Sequence, residues 1–158
     1  MILPPARQLP SGLDEARLAA WRGLLNSHAA AVAAIERDLA AAEGSYLPLT
    51  WYDVLLALVE APERRLRLHE LARNVVLSRS GLTRLVNRLE AAGLLRREPD
   101  PSDRRGAFAA LTDQGRAALR RTWPAYAGGI VEHFARHLTE DEADVIAVAL
   151  ERVRAGAE

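Results

Sequence analysis

The feature that most constrains the fold is a long segment, from Leu13 to Glu43, whose pattern predicts one uninterrupted helix. It contains no proline and a single glycine, Gly23. Its larger side chains recur at alternating steps of four and three residues, the spacing of a heptad seam: Trp21, Leu25, His28, Val32, Ile35 and Leu39. At about 1.5 Å per residue the helix would be roughly 46 Å long, which exceeds the core of a small domain. We therefore expect a second copy of the chain to cover part of it.

The composition limits the classes to which the protein can belong. With 158 residues and 49% hydrophobic content the chain can bury one sizeable core, and its net charge of zero argues against a uniformly basic nucleic-acid-coating protein. The absence of cysteine excludes disulfides, thiolate metal sites and thiol-based sensing. Because no segment has the apolar length of a membrane span, we expect a soluble cytoplasmic protein without a membrane partner.

The middle of the chain predicts a series of shorter helices. After a break over residues 44–48, Thr50 and Asp53 form a pattern similar to a capping box, followed by an apolar helix face. A short helix is expected around residues 69–74. A tight turn over residues 75–77 would then lead to Ser78 as the N-cap of a further helix.

The helix after Ser78 has two chemically different faces, and Gly93 is suited to end it in a left-handed conformation. Its apolar stripe consists of Leu82, Leu85, Val86 and Leu89. The opposite, polar side carries groups that can donate to base edges or phosphates: Ser80, Thr83, Arg84, Asn87 and Arg88. Eight arginines against four acids between positions 73 and 105 give a local charge of +4 in a neutral chain. The pattern indicates a basic surface confined to this unit.

A two-stranded hairpin is predicted directly after this helix. LLRRE and GAFAAL have the composition of short strands, and DPSDRR between them supplies the tip. A short helix, a turn, an amphipathic helix and a hairpin in this order predict a winged helix-turn-helix. Arg104 and Arg105 would reach phosphates or the minor groove, while Asp103 would pair with a neighbouring arginine and hold the shape of the tip.

From Leu13 to Val153 the sequence resembles the MarR family of bacterial transcription regulators. DRRGAFAALTDQG is similar to that family's Asp-x-Arg wing followed by Leu-Thr-x-x-Gly, and SRSGLTRLVNRLEAAGLLRR is similar to its recognition helix and first wing strand. The resemblance implies that Asp103 is the structural acid of the wing and Arg105 its minor-groove arginine. It also implies helix contacts to bases from Ser80, Thr83 and Arg84, and to phosphates from Arg79 and Arg88. Arg67 departs from the family, because many relatives have a capping Ser or Thr at this position.

Two helices are expected after the hairpin. Thr112 would cap the first, which should run to about Leu138 with a kink at Pro124, and Thr139 with Glu142 would form a capping box for the second. The last helix has an apolar stripe with little left to cover in one chain: Ile146, Ala149, Leu150 and Val153.

The predicted fold is mainly α with a small β-hairpin wing, a winged helix-turn-helix flanked by helices that form a dimerisation domain. We divide the chain into a tail (residues 1–12), a dimerisation helix and linker (13–48), a winged helix-turn-helix DNA-binding domain (49–111) and C-terminal dimerisation helices (112–158).

A pocket for a small molecule is a further hypothesis. In the family that the chain resembles, such molecules are often aromatic acids, bound between the long first helix and the winged unit. Four side chains are candidates to line this space: Trp21, His28, Trp51 and Tyr52. Ordinary core and dimer packing explains the same four residues equally well.

Metal binding has one weak candidate. His133 and His137 are one helical turn apart, and Glu132 or Asp141 could complete a site. A histidine pair on a polar helix is usually surface, so we predict no metal and no other cofactor.

These observations predict a homodimeric transcription regulator, a repressor that binds a pseudo-palindromic DNA operator and releases it when a small-molecule effector binds. The alternatives are a DNA-binding or architectural protein without an effector, and a protein-interaction module that keeps the winged fold. An enzyme is not expected, since the sequence has no Gly-rich phosphate loop, no metalloprotease motif and no Ser, His and Asp set in a catalytic context.

Overall fold

The computed structural model describes residues 10–44, 46–74 and 79–157, except for the side chains at positions 74, 79, 80, 104 and 105. The predicted turn over residues 75–77 and the predicted cap at Ser78 lie outside this description. In chain order the helices and strands are α1 (Glu15–Ala41), α2 (Leu49–Glu60), β1 (Arg65–Arg67), α3 (Leu68–Asn74), α4 (Arg79–Ala91), β2 (Leu95–Asp100), β3 (Asp103–Leu111), α5 (Asp113–His133) and α6 (Glu140–Ala155). The fold is mainly α with a small sheet, as predicted.

The long first helix forms as the heptad pattern predicts. Asp14 caps it, because its carboxylate accepts a hydrogen bond from the Arg17 backbone N–H at 2.7 Å. Among the described residues, only the C-terminal half of the seam is covered. Ile35 and Leu39 are buried, whereas 55% of Trp21 and 49% of Leu25 are exposed to solvent.

The second helix begins differently from the prediction. Its N-cap position is Pro48, without a side-chain cap, so the proposed capping box of Thr50 and Asp53 is wrong. The Pro48 carbonyl already accepts hydrogen bonds from the N–H groups of Trp51 and Tyr52, at 2.9 and 3.0 Å. Thr50 therefore lies inside the first turn, where its hydroxyl cannot act as the cap.

The sheet has three antiparallel strands in the order β1-β3-β2, one more than the sequence predicted. The extra strand, β1, is only three residues long and reads Arg-Leu-Arg. It follows a tight turn in which Glu63 and Arg64 have positive φ values of 53° and 56°. Leu66 pairs with Ala109 in β3. The segment is too short to show a strand periodicity of its own, and this cross-strand pairing stabilises it as part of the sheet.

One core joins the winged unit to the beginning of α5. Its buried residues come from every helix between α2 and α5, from β2 and β3, and from two connecting segments: Leu47, Tyr52, Val54, Leu55, Leu58, Leu71, Leu82, Leu85, Val86, Leu89, Leu94, Leu95, Ala109, Leu111, Ala118 and Leu119. A second, smaller cluster joins α1, α2 and α5 through Ile35, Leu39 and Leu49. The two clusters hold the winged unit against the long helices.

The Leu-Thr-x-x-Gly segment connects the wing to α5. The Thr112 hydroxyl donates to the Gly93 carbonyl at 2.7 Å and accepts from the Gly115 N–H at 3.0 Å, so it caps α5 as predicted. Gly93 itself has a φ of +71° and ends α4. A Cβ on Gly115 would lie 2.1 Å from the Leu94 carbonyl oxygen. Glycine is therefore required where α5 passes the loop that precedes β2.

The C-terminal helices differ from the prediction in one boundary. α5 contains Pro124 but ends at His133 instead of near Leu138, because the backbone at Phe134 leaves the helical conformation (φ −142°, ψ −63°). A 3₁₀ turn, Ala135–His137, follows. The capping box of Thr139 and Glu142 is confirmed, with both of its hydrogen bonds formed.

Apolar side chains remain exposed on α6, as the predicted stripe suggested. None of its described residues is buried. Val145 is 69% exposed, Val148 60%, Val153 63% and Leu150 39%, while Ile146 and Ala149 are half-buried. The described part of the chain thus leaves most of this apolar face uncovered.

Candidate nucleic-acid interface

α4 has the two faces that the sequence predicted. Leu82, Leu85, Val86 and Leu89 are buried in the core. Four of the predicted DNA-contacting residues are exposed on the other side: Thr83, Arg84, Asn87 and Arg88. Two further candidates, Arg79 and Ser80, form the first turn of the helix, and their side chains lie outside the described structure. The helix therefore presents a polar, arginine-bearing surface from a firmly packed apolar base.

The wing is the hairpin of β2 and β3, with Pro101 and Ser102 at its turn. Its register changes next to the tip, since Pro99 lies opposite Ala107 while Asp100 lies opposite Asp103. β3 therefore accommodates three extra residues, 104–106, across this step, which is a bulge. The predicted DNA-contacting arginines Arg104 and Arg105 are part of this bulge. Their side chains lie outside the description.

The buried acid of the wing is Asp100, which the sequence analysis missed. Its side chain is only 2% exposed and lies 2.7 Å from the Arg67 Nε. Asp100 also accepts from the Ser102 N–H at 2.8 Å and from the Ser102 hydroxyl at 2.7 Å. The hydrogen bonds from Ser102 and Arg67 hold the pKa of Asp100 well below its ordinary value. The Asp-Pro-Ser order, typical of an Asx turn, is the sequence signal that could have found it.

A second set of contacts connects α4 to the wing. The Arg97 guanidinium in β2 pairs with Glu90 and donates to the Asn87 side-chain oxygen, and the Arg97 backbone N–H donates to Glu90 at 3.0 Å. Asn87 and Glu90 both belong to α4. Asn87, which we predicted to face DNA, therefore uses one lone pair of its side-chain oxygen within the protein, which leaves its amide N–H groups and the other lone pair for a base.

Two arginines of β2 form ion pairs within the winged unit. Arg96 pairs with Glu98 at 2.7 Å, and Arg97 pairs with Glu90, so both are partly neutralised by acids of the same unit. Arg84 and Arg88 lie on the exposed face of α4. Because the local charge of +4 already subtracts Glu90 and Glu98, these two ion pairs leave it unchanged.

A cleft of about 890 Å³ lies between α1, α2, β1 and α5. It is lined by His28, Val32, Glu36, Leu49, Thr50, Asp53, Leu56, Ala57, Glu60, Ala61, Pro62, Leu66 and Tyr126. Of the four residues predicted to line a pocket, only His28 is among them. Trp21 is largely exposed, Trp51 packs against the core of the winged unit, and Tyr52 is buried with its ring 4.9 Å from that of Tyr126.

Acidic side chains dominate the charge of this cleft. Glu36, Asp53 and Glu60 contribute carboxylates, and no arginine with a described side chain is among the lining residues. Burial raises the pKa of Asp53, and the nearby Glu36 raises it further, although His28 opposes both effects. A negatively charged ligand would meet repulsion here.

The histidine pair of the C-terminal region does not form a cluster. His133 lies with its Nε2 2.6 Å from Asp38 Oδ2, so it contacts α1, while His137 belongs to the 3₁₀ turn. Across residues 10–44, 46–74 and 79–157, no group of three or more His, Cys, Asp or Glu side chains is arranged to hold a metal ion.

Comparison with known proteins identifies the family. Residues 47–106 match the sequence profile of the MarR family. The crystal structure of Sco3205, a MarR family transcriptional regulator from Streptomyces coelicolor in complex with DNA, is 34% identical, covers 94% of this chain and 92% of its own, and has a TM-score of 0.78. The chain belongs to the MarR family. A second MarR regulator from the same organism, AbsC, is 30% identical with a TM-score of 0.77, over 94% of this chain and 98% of its own.

A curated relative agrees with this MarR assignment over a shorter range. YkoM, an uncharacterised HTH-type transcriptional regulator of Bacillus subtilis, is 34% identical over 86 residues, which are 54% of this chain and 55% of YkoM. The match thus spans about half the length of that relative. In the described part of this MarR-family chain, no helix is both long enough and apolar enough to cross a membrane.

Proposed function

We propose that this MarR-family protein is a transcriptional repressor that binds a pseudo-palindromic DNA duplex as a homodimer and releases it when a small molecule binds. The observation that carries the proposal is the combination of α4 and the wing. α4 offers an exposed polar face on a rigid apolar base, and a two-stranded wing lies beside it. The DNA complex of Sco3205, at 34% identity, supports the same use of these elements here.

The proposed DNA contacts divide between the helix and the wing. Thr83 and Arg84, with Ser80 from the first turn, are proposed to contact base edges, and Arg79 and Arg88 to contact phosphates. Arg104 and Arg105 in the wing bulge are proposed to reach the backbone or the minor groove, and Asp103 stays our candidate for a structural acid. We assign Asn87 to the contact between helix and wing, because its side-chain oxygen accepts from Arg97.

Dimerisation is proposed through α1, the end of α5 and α6. Large apolar side chains on these helices are exposed in the single chain: Trp21, Leu24 and Leu25 on α1, Val131 on α5, Phe134 after it, and Val145, Val148, Leu150 and Val153 on α6. An exposed apolar surface of this kind marks an interaction site. Residues 13–48 and 112–158 would form the dimerisation domain, with residues 49–111 as the DNA-binding domain. A two-fold arrangement would present two recognition helices about 34 Å apart, one turn of DNA.

Fluorescence anisotropy with labelled duplexes tests DNA binding. Duplexes selected by the protein from a random-sequence pool should bind much more tightly than an unselected duplex of equal length. If six to ten phosphates are contacted, affinity should fall by about 10³ to 10⁵ between 50 and 200 mM salt. Binding that is absent at low salt, or that does not depend on salt, would favour the protein-interaction module instead.

The effector is proposed to bind in the cleft between α1, α2, β1 and α5. Its volume of about 890 Å³ is large enough for a drug-sized molecule. Because Glu36, Asp53 and Glu60 would repel an acid, we favour an apolar molecule that is neutral or carries an amine, instead of the aromatic acid implied by the family resemblance. A ligand that stabilises a different spacing of the two recognition helices would release DNA.

A matched pair of ligands tests the effector proposal. An arylalkylamine and the arylalkanoic acid of the same length should differ in their ability to displace the selected duplex, with the amine the stronger. Saturating duplex should weaken amine binding by the same factor, since coupling is reciprocal. If neither compound nor a neutral analogue affects DNA binding, the alternative of a DNA-binding or architectural protein without an effector is favoured.

A further inference from the structure

Arg67, at the end of β1, reaches across the sheet to the turn of the wing. Its Nε donates to Asp100 Oδ2 at 2.7 Å, and its Nη2 donates to the Ser102 hydroxyl at 3.1 Å. These partners are 33 and 35 residues away in the sequence. Because Asp100 also accepts from the Ser102 N–H and hydroxyl, one buried carboxylate connects the guanidinium to both ends of the Asp100–Ser102 segment.

The Arg67 guanidinium is held from a second side by an aromatic ring. Its central carbon lies 5.3 Å from the centroid of Phe108 in β3, within the range of a cation–π contact. The hydrogen bonds of the planar guanidinium and its contact with the Phe108 ring together fix the Arg67 side chain in two directions. A long side chain that is ordinarily mobile is therefore restricted to one position beneath the wing.

The start of α3 is capped by a residue other than Arg67. An arginine side chain has no acceptor with which to cap the N–H groups of a helix start. Here the Glu70 carboxylate, one turn into α3, accepts from the Arg67 backbone N–H at 3.0 Å. The backbone of Arg67 thus stays tied to α3 while its side chain is available for the wing.

The segment held by Arg67 directly precedes the bulge that carries the predicted DNA-contacting arginines. Residues 104–106 are inserted into β3 opposite the step between Pro99 and Asp100. Gly106, the last residue of the bulge, lies close to Asp100. A Cβ at this position would lie 3.1 Å from the Asp100 Cβ and 3.2 Å from the Asp103 Cβ. A displacement of Asp100 would therefore be transmitted to the backbone on both sides of residues 104 and 105.

We propose that Arg67 is a positioning residue for DNA binding: through Asp100 and Ser102 it fixes the wing turn and the bulge of residues 104–106 relative to the helix-turn-helix. This proposal rests on the proposed function of DNA binding. Its physical basis is preorganisation, because a wing that is already ordered loses less conformational freedom when it meets DNA. Arg67 itself need not touch the nucleic acid.

The first test measures the wing without DNA, by hydrogen exchange on the full chain. Arg67→Ala should speed exchange of the backbone amides of residues 102–106, while the amides of the buried face of α4 keep their protection. Arg65→Ala is the matched control. Arg65 lies in the same short strand and also contacts Phe108, at 5.0 Å, but its acidic partners are Glu63 and Glu98. Unchanged exchange in Arg67→Ala would overturn the proposal, whether or not the protein binds DNA.

The second test is a double-mutant cycle on DNA affinity. The probe is a duplex selected by the wild-type protein from a random-sequence pool. Arg67→Ala and Asp100→Asn should each weaken binding by about tenfold, as expected when a charge-assisted hydrogen bond is lost, and the double variant should be no weaker than the more affected single variant. Arg67→Lys, which keeps the charge and one donor, should recover part of the affinity. The base preferences obtained by selection should stay unchanged, since α4 is intact.

The outcomes separate this inference from the proposed function. Additive losses in the double variant, or an Arg67→Ala variant with wild-type affinity, would show that the contact does not position the wing for DNA. If the wild-type protein selects no duplex at all, the proposed function fails, while the hydrogen-exchange result still decides whether Arg67 orders the wing. Thermal unfolding of each variant shows whether a loss of affinity reflects a loss of the fold.

Discussion

The backbone N–H of Leu47 donates a hydrogen bond to the Thr122 hydroxyl at 3.1 Å, in a part of the core where Thr122 has no exposed surface. Leu47 lies in the connection between α1 and α2, and Thr122 lies in the middle of α5. The contact joins segments 75 residues apart. It gives an acceptor to the buried Leu47 N–H, which lies outside any helix and so has no helical hydrogen-bond partner. It ties the proposed dimerisation helices to the first helix of the winged unit.

Removal of this hydroxyl should destabilise the protein. Thr122→Val keeps the shape of the side chain but leaves the Leu47 N–H without its acceptor, at an expected cost of about 1–3 kcal/mol. Thr122→Ser is the control, because it keeps the oxygen and loses only a methyl group, at about 1 kcal/mol. Urea unfolding followed by circular dichroism measures both. A valine variant as stable as the serine variant would contradict the importance of this contact.

Gly115 should be the least replaceable glycine of the described chain. In Gly115→Ala the new methyl would meet the Leu94 carbonyl oxygen at 2.1 Å, so α5 would have to move away from the loop before β2. We expect a loss of more than about 3 kcal/mol, the range of severe core strain. Gly128→Ala in the same helix has no atom within 4 Å of the new Cβ and should gain up to about 1 kcal/mol. Thermal unfolding of the two variants compares them; a similar melting temperature for both would be inconsistent with this packing.

The helix and the wing should have separable effects on DNA recognition. Arg84→Ala, on the exposed face of α4, should cost about 1–3 kcal/mol of binding free energy and relax base preference if it contacts a guanine. Arg105→Ala should weaken binding while the major-groove preference is kept. Selection from a random pool with each variant gives both quantities. An equal loss of preference in the two variants would mean that this division of roles is wrong.

Charge placed on the exposed apolar helix faces should prevent dimerisation. Leu25 on α1 is 49% exposed in the single chain and Leu150 on α6 is 39% exposed, so both are candidates for burial by a partner. Leu25→Glu and Leu150→Glu should each weaken the dimer, because an unpaired buried carboxylate is costly. Val59→Glu on α2, where 38% of Val59 is exposed, is the control and should leave the dimer intact. Light scattering at micromolar concentration decides; a stable wild-type monomer would disprove dimerisation.

Neutralising Asp53 should stabilise the fold at neutral pH. The folded state raises the pKa of Asp53 above its ordinary value of 3.8, mainly through burial and then through Glu36. The folded protein therefore holds this proton more tightly than the unfolded chain, so stability is lost as the pH rises from the ordinary pKa through the raised one. Asp53→Asn should be more stable than wild type above this range and no more stable below it. Urea unfolding of both proteins over a series of pH values measures the difference, and a variant no more stable than wild type above this range would contradict the prediction.

The sequence by itself determined those elements that depend on interactions between residues close together in the chain. The seam of α1, the two faces of α4, the cap at Thr112 and the capping box of Thr139 and Glu142 depend on residues within one or two helical turns of each other. Their spacing is therefore visible in the sequence, and the structure confirms each of these elements. The order of a short helix, an amphipathic helix and a hairpin fixes the winged helix-turn-helix in the same way.

Contacts between distant segments were decided only by the tertiary structure. β1 is three residues long and forms because it pairs with β3. A segment of this length has no alternating pattern from which a strand could be predicted. The sequence shows Arg67 only as a departure from the expected helix cap, and no local pattern links it to Asp100, which is 33 residues away. Of the side chains expected in the pocket, only His28 lines the cleft. Glu36 and Asp53 line it as well, because its walls come from the packing of α1, α2 and α5. Spacing along a chain specifies which face of a helix is apolar, whereas only packing specifies which residues of two faces meet.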